Sequence, residues 1–328
     1  MKAYLHAAAA ALLIAPVSMA EAKAQDSTCG EISIAQMGWT SAEVITEVAK
    51  FLLEQGYGCK VTLVASDTIA AITSVTENGR PEIVTDLWLN SAGDPYRKLE
   101  ESGRMVRLAS VLDPGGVEGL WIPTSLAEAN PELTTIDGIL KNPELVGGVF
   151  NTCPDGWGCR VVLDNLVKAL DFEGHGLKIF SHGSGETLAS SIGTAVESSQ
   201  PWFGYYWTPT VVMGKYPMTR VSLGEHDEAA FADLQEPGTV NPQSSEFPVA
   251  PVLTSVTAEF TKSHPAETEF LRHMSFPTDA MSELLAWKEQ QGASAQETAV
   301  HFLTSRPDQW SSWLNDDARQ KLSALIAN

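Results

Sequence analysis

Tryptophan carries the chemistry that this chain suggests. Four of its nine tryptophans, Trp39, Trp88, Trp157 and Trp207, each stand at or just beyond the end of an apolar, strand-like run. An indole face attracts a cation through the ring quadrupole while its area excludes water, and each contact is worth about 0.5–2 kcal/mol. A quaternary ammonium has no N–H to donate, so hydrogen-bond acceptors hold it poorly and aromatic faces suit it. Several rings together reach the ~8 kcal/mol of micromolar binding once the costs of closure are met. One tryptophan alone is as well explained by core packing. Four at strand ends are not. A second feature adds polarity: Cys153-Pro154-Asp155-Gly156-Trp157-Gly158-Cys159 places a tryptophan between two glycines inside a short cysteine-flanked loop. Bridged, such a loop would fix Trp157 and could aim backbone N–H groups at a carboxylate or N-oxide oxygen.

The elements that must position these residues alternate strand and helix. Glu31–Ala35 reads as a strand. Thr40 and Glu43 have the Thr-x-x-Glu form of a capping box, and Val44, Ile45, Val48, Phe51 and Leu52 follow at helical spacing up to Gly56. Lys60–Ala65 is a second strand, a helix runs from Asp67 to Asn78-Gly79, and Glu82–Asp86 is a third strand ending at Leu87-Trp88. This order implies a parallel sheet with right-handed crossovers. The pattern pauses at Asp113-Pro114-Gly115-Gly116 and resumes as a strand over Val117–Pro123. A second α/β unit follows: strand Val146–Phe150, a helix from about Arg160 to Leu170, strand Leu177–Phe180, a helix from Glu186 to about Glu197, and strand Trp202–Trp207. Val249–Val256 returns as a strand whose early part, holding Pro251, is expected to be an edge or lead-in segment. The polar stretch Glu225–Glu246 reads as a loop or crossover. From about Ala258 the chain is mostly helical, with Pro265 and Pro277 at helix starts.

This layout predicts an α/β protein of two lobes, each a mainly parallel sheet flanked by helices, closing on its ligand about a hinge. Residues 25–115 with about 225–328 form the first lobe and 116–224 the second. Ligands in α/β sheets lie beyond the carboxyl ends of the strands, which is where the four tryptophans fall, two per lobe.

The N-terminus has the order of a secretory signal over residues 1–24: Lys2, an apolar run from Ala7 to Pro16, then small-residue cut sites at Ser18-Met19-Ala20 and Ala22-Lys23-Ala24. The apolar run falls short of the ~20 residues that span a bilayer. A periplasmic protein without a lipid anchor is expected, since no cysteine follows the signal in an attachment position. The formal charge is −20; loss of Lys2, Glu21 and Lys23 with the signal, a net +1, leaves −21. Such acidity argues against nucleic acid as a partner and favours cations near the surface. Four cysteines in an exported chain fit two disulfides. Cys153 and Cys159 are a natural pair by proximity. Cys29 and Cys59 precede two strands that could lie side by side, which makes a bridge geometrically possible. No Cys-x-x-Cys or nearby histidine suggests a metal, and no cofactor is called for.

Two motifs resemble a known family. Cys-Pro-Asp-Gly-Trp-Gly-Cys (153–159) and Tyr-Tyr-Trp-Thr-Pro (205–209) are similar to the signatures of glycine betaine/proline betaine-binding proteins of ABC transporters, which have the type II periplasmic binding fold. The similarity extends more weakly over most of the chain, including Val117-Glu118-Gly119-Leu120-Trp121. It implies that Trp88, Trp157 and Trp207 form the cage, that the N–H groups of Gly158 and Cys159 meet the ligand's anionic end, and that the membrane subunits of an ABC importer are the partner of a monomer. Two positions depart from the pattern. The family's histidine four residues after the first cage tryptophan is here Ala92, and Trp39 is an added aromatic. Together they suggest a smaller or less anionic ligand, which trimethylamine N-oxide, choline or a sulfonium osmolyte would fit, although the sequence alone does not rank these against glycine betaine. Glu118, on the strand that crosses between lobes, could offer a carboxylate to the cationic head or to a ligand hydroxyl.

An enzyme is the rival class. The seven histidines are scattered, with no His-x-x-x-His and no Gly-x-Ser-x-Gly elbow. His182-Gly183-Ser184-Gly185 lacks the Gly-Lys-Ser/Thr of a phosphate loop and reads as a βα turn with Ser184 near a helix cap. A different solute is the other rival. An amino acid would need a basic partner for its carboxylate and a sugar many planar polar groups, and neither set accompanies the tryptophans, although stacking on a sugar ring is chemically open.

Overall fold

The computed structural model describes residues 29–326; the signal expected over residues 1–24 lies outside them. Ten strands form one sheet: β1 (Gly30–Met37), β2 (Cys59–Ser66), β3 (Ile83–Trp88), β4 (Met105–Pro123), β5 (Val149–Thr152), β6 (Lys178–Ser181), β7 (Gly204–Thr208), β8 (Met218–Val221), β9 (Val249–Thr257) and β10 (Phe276–Pro277). The order is β2-β1-β3-β9-β4-β7-β5-β6, with β8 and β10 paired to β4. Each flank is parallel, β2-β1-β3 on one side and β7-β5-β6 on the other. The centre is antiparallel because β4 and β9 run against each other and against their outer neighbours. Parallel flanks follow from the βα connections; all six residues of the inner strand β3 are buried, whereas the outer strands β2 and β6 keep much of their surface exposed.

The main departure from the sequence pattern lies at Asp113–Gly116. The chain does not pause there: β4 is a single 19-residue strand. Its ladder with β9 shifts register between Leu112 and Gly116, which absorbs Pro114 and the two glycines as an irregularity rather than a turn. Strand β9 is central, between β3 and β4, but its early part is an edge segment: β3 reaches only to Val252, so Val249 and Ala250 pair with β4 alone and Pro251 is tolerated beside them. The stretch Glu225–Glu246 contains a helix, Glu228–Gln235, anchored by buried Phe231 and Leu234. Strand β5 starts three residues later than its apolar run, because Pro143–Val146 forms a 3-10 turn. Helix Thr40–Leu52 has Trp39, not Thr40, at its N-cap, without a side-chain cap bond. Ser184 does cap Gly185–Glu197, in a capping box with Thr187.

Disulfides join Cys29 to Cys59 and Cys153 to Cys159. The first pins the start of β1 to β2, whose register pairs Gly30 with Cys59. The larger core runs through both flanks and includes Ile34, Phe150, Phe203, Phe270 and Trp310, all nearly inaccessible. The C-terminal helices Thr278–Gln291 and Ala295–Ser305 pack back on Thr40–Leu52. No helix among the described residues is long and apolar enough to cross a membrane.

Candidate functional site

The strand ends bring the four tryptophans together. Trp39 follows β1 at the start of its helix, Trp88 closes β3, Trp157 sits in the disulfide loop after β5, and Trp207 lies near the end of β7. All four line one cavity, with Glu118, Gly158 and Cys159; Thr68, Ser91 and Tyr205 complete the wall. Every site residue singled out from the sequence is therefore at this cavity. Trp88, Trp157 and Trp207 are buried, and Trp39 is partly so. Trp157 is the central ring, edge-on to Trp39 and to Trp207 with centroids 5.3 Å apart in both cases. Tyr206 stacks on Trp207 at 4.5 Å. Aromatic pairs gain most in such edge or offset contacts, so the rings hold one another in place.

The cavity is small, about 30 Å³, and partly open to solvent. Three glycines shape it. A methyl on Gly116 would meet Trp88 at 2.2 Å, one on Gly185 would meet Trp157 at 2.9 Å, and one on Gly158 would meet the Ser91 carbonyl oxygen at 1.9 Å. The first two make room for rings. The third lets the disulfide loop close onto the chain that follows β3. The same approach is made elsewhere: Ile69 N–H donates to the Gly156 carbonyl at 3.3 Å, and the Trp157 indole lies near enough to Asp67 to oppose the rise that burial gives its pKa. The glycines read locally as turn formers, so their packing role was not visible in the sequence.

Glu118 supplies the charge at the cavity. Its Oε1 accepts hydrogen bonds from Tyr205 Oη at 2.5 Å and Ser91 Oγ at 2.8 Å. Its Oε2 has no partner. Burial pushes its pKa up, opposed by the bonds from Tyr205 and Ser91 and more weakly by Asn90 and Arg220. No lysine, arginine or histidine lines the cavity. Ala92, where the resembling family has histidine, is buried in the smaller core cluster. Gly158 and Cys159 occupy the N-cap and first position of helix Cys159–Ala169, where backbone N–H groups have no intrahelical acceptor. Trp39 and Trp207 also line a wider groove of about 530 Å³ that carries Glu43, Glu186, Glu197 and Glu289 against Lys215 and Lys288. Its acidic excess favours the approach of cations, within the ~10 Å that salt allows.

A helix-flanked mixed sheet with an aromatic cavity at the ends of its strands defines the class: a two-lobed type II periplasmic binding protein. Residues 30–305 match the profile of the family described as the substrate binding domain of ABC-type glycine betaine transport system, OpuAC. The chain belongs to this family and is a substrate-binding protein of an ABC-type transport system, not an enzyme. Such proteins are extracytoplasmic and work with the membrane subunits of their transporter. Among solved structures, an ABC-transporter choline binding protein in complex with choline is similar in fold, at a TM-score of 0.75 and 19% identity over 90% of this chain and 98% of that one. The glycine betaine, L-proline-binding protein ProX from Borrelia burgdorferi has a TM-score of 0.74 at 13% identity, over 89% of this chain and 99% of that one. Lactococcal OpuAC, closed on glycine betaine, has a TM-score of 0.68 at 17% identity, over 87% and 100%. No curated protein matches this chain in sequence.

Proposed function

We propose that the cavity takes one trimethylated onium head against Trp39, Trp88, Trp157 and Trp207, with a single small oxygen substituent turned to Glu118. The observation that carries this reading is four indoles and one half-satisfied acid around a space with no base. A trimethylammonium head has bonds of about 1.5 Å and methyl radii of roughly 1.9 Å, so it reaches about 3.4 Å from its centre, a compact shape suited to a small cavity between rings. A protonated Glu118 can donate to the oxygen of trimethylamine N-oxide, and an ionised one can accept from the hydroxyl of choline. The carboxylate of glycine betaine would have only the N–H groups of Gly158 and Cys159 and would lie near an acid. Trimethylamine N-oxide and choline are therefore favoured over glycine betaine; a sulfonium head is compatible with the rings. The choline and glycine betaine bound in the structures of the two fold relatives are of the same chemical class.

Two lobes close on this head, residues 25–115 with about 225–328 and residues 116–224, bending where β4 passes from one to the other and where the chain returns at about residue 225. Trp157 and Gly158 on one side meet Asp67 and Ser91 on the other, so filling the cage and closing the lobes are one event. The protein acts as a periplasmic monomer after loss of residues 1–24; two disulfides suit an oxidising compartment.

Isothermal titration calorimetry with trimethylamine N-oxide, choline, glycine betaine and tetramethylammonium tests the reading. Trp157→Ala and Trp207→Ala should each lower affinity roughly tenfold or more with the circular dichroism kept. Wild-type affinity in both variants would remove the cage. Glycine betaine as the tightest ligand would overturn the preference argued from Glu118.

A further inference from the structure

Asp86 has no part in the scheme above, yet it sits directly behind the rings. It is fully buried, two residues before Trp88. Its backbone is in the left-handed region, φ 52°, which a non-glycine residue adopts at a penalty. The ladder of β3 with β9 is irregular there, shifting register between Val84 and Leu87. Asp86 Oδ2 accepts from Trp39 Nε1 at 2.7 Å and from Ser41 Oγ at 2.8 Å. Its Oδ1 has no hydrogen-bond partner, and neither has Trp88 Nε1, although the Trp88 N–H is near enough to draw on the same carboxylate.

A buried carboxylate with both firm donors on one oxygen is expensive to keep ionised. Burial accordingly pushes its pKa up to about 6, against the donors Ser41, Trp39 and Trp88, and no charged side chain contributes. A strained, desolvated acid with no counter-ion is explained if the counter-ion arrives with the ligand. Two of the four rings turn their indole N–H toward this carboxylate and line the cavity themselves. A negative charge at the N–H edge enriches the ring face in electron density. Its field also crosses a dry, low-dielectric wall into the cavity.

Resting on the onium-cage reading, we infer that Asp86 is a positioning residue and the buried counter-charge of the ligand: it fixes Trp39 by a hydrogen bond and, through Trp39 and Trp88, supplies the negative potential that holds a permanent cation. The other charged groups around the rings are Glu118 at the cavity, Asp67 near the Trp157 indole, and, in the groove beside Trp39 and Trp207, Glu43, Glu186, Glu197 and Glu289 with Lys215 and Lys288.

The test uses Asp86→Asn, which keeps an oxygen to accept the Trp39 N–H and removes the charge. The probes are tetramethylammonium, which has no oxygen for Glu118 to engage, and 3,3-dimethylbutanol, an uncharged carbon isostere of choline. At pH 8 the variant should lose tetramethylammonium affinity on the order of tenfold, as expected for one charge a ring's width away, and keep its affinity for the neutral isostere. Wild-type affinity for tetramethylammonium should fall between pH 8 and pH 5, and this slope should be flatter in Asp86→Asn than in Glu118→Gln or Asp67→Asn. Equal losses for the charged and the neutral probe, or no loss for either, would overturn the counter-charge. If Asp86→Asn does not fold, the slopes of the wild type, Glu118→Gln and Asp67→Asn decide: a slope abolished by either of those two variants refutes the assignment to Asp86. A wild type that binds no tetramethylammonium at all refutes the cage itself.

Discussion

Gly116→Ala is the sharpest single test of the cage wall. Gly116 lies in β4 opposite Ala250, and an added Cβ would stand 2.2 Å from Cζ3 and Cη2 of Trp88 and 2.9 Å from the Thr208 carbonyl oxygen. Carbon atoms settle at about 3.5 Å or more, so the ring has to retreat by roughly 1.3 Å. It is the rigid six-membered end of a buried indole, and the backbone atom beside it cannot yield. Overpacking of this kind takes about 1–3 kcal/mol. Drawn from ligand affinity, that is a loss of roughly 5- to 150-fold. Calorimetry with tetramethylammonium reads the loss, and circular dichroism with a melting curve shows whether the sheet survives. Gly214→Ala, whose added methyl meets nothing within 4 Å, serves as the control and should bind as the wild type does. A folded Gly116→Ala protein with unchanged affinity would mean that Trp88 does not contact the ligand.

Gly158→Ala should weaken binding at least tenfold, because its methyl would lie 1.9 Å from the Ser91 carbonyl oxygen and hold the loop off; the same calorimetry checks it. Replacing both Cys153 and Cys159 by alanine should lower the melting temperature by an amount equivalent to roughly 2 kcal/mol and reduce affinity by loosening the loop that carries Trp157; scanning calorimetry with and without ligand reads both. Asp86 should make the unliganded protein more stable as the pH falls. Its folded pKa, about 6, lies above the ordinary aspartate value of 3.8, so the native state binds the proton more tightly. Between pH 7 and pH 5 the wild type should therefore gain roughly 1 kcal/mol relative to Asp86→Asn, and a pH-independent difference between their melting curves would contradict this.

The residues that line the candidate cavity were more legible in the sequence than the sheet that carries them. Strand ends are legible because short β-branched runs such as Val61–Val64 precede capped helices, and the ligand side of an α/β sheet is fixed by that order. The Cys29–Cys59 bridge was within reach for the same reason, as parallel neighbours start side by side. Continuity of β4 was not legible, because Asp113-Pro114-Gly115-Gly116 carries every local mark of a turn and only the ladder with β9 keeps it extended. The helix Glu228–Gln235 was hidden because Phe231 and Leu234 are its only buried apolar anchors in a polar stretch. Thr40 lost the N-cap to Trp39, whose indole is tied to Asp86, 47 residues away. No local pattern announces such a partner. The same holds for Gly116 and Gly185, which look like loop residues until the rings they accommodate are in place.

The length of β4 bears on how the molecule comes apart. The same strand pairs with β9 from Met105 to Val117 and with β7 from Val117 to Trp121. Unzipping either ladder strips one edge of the ribbon on which the other is built. Heat should therefore melt both halves in a single cooperative step even without ligand, and a cut anywhere in this strand should release neither half as a domain able to fold alone.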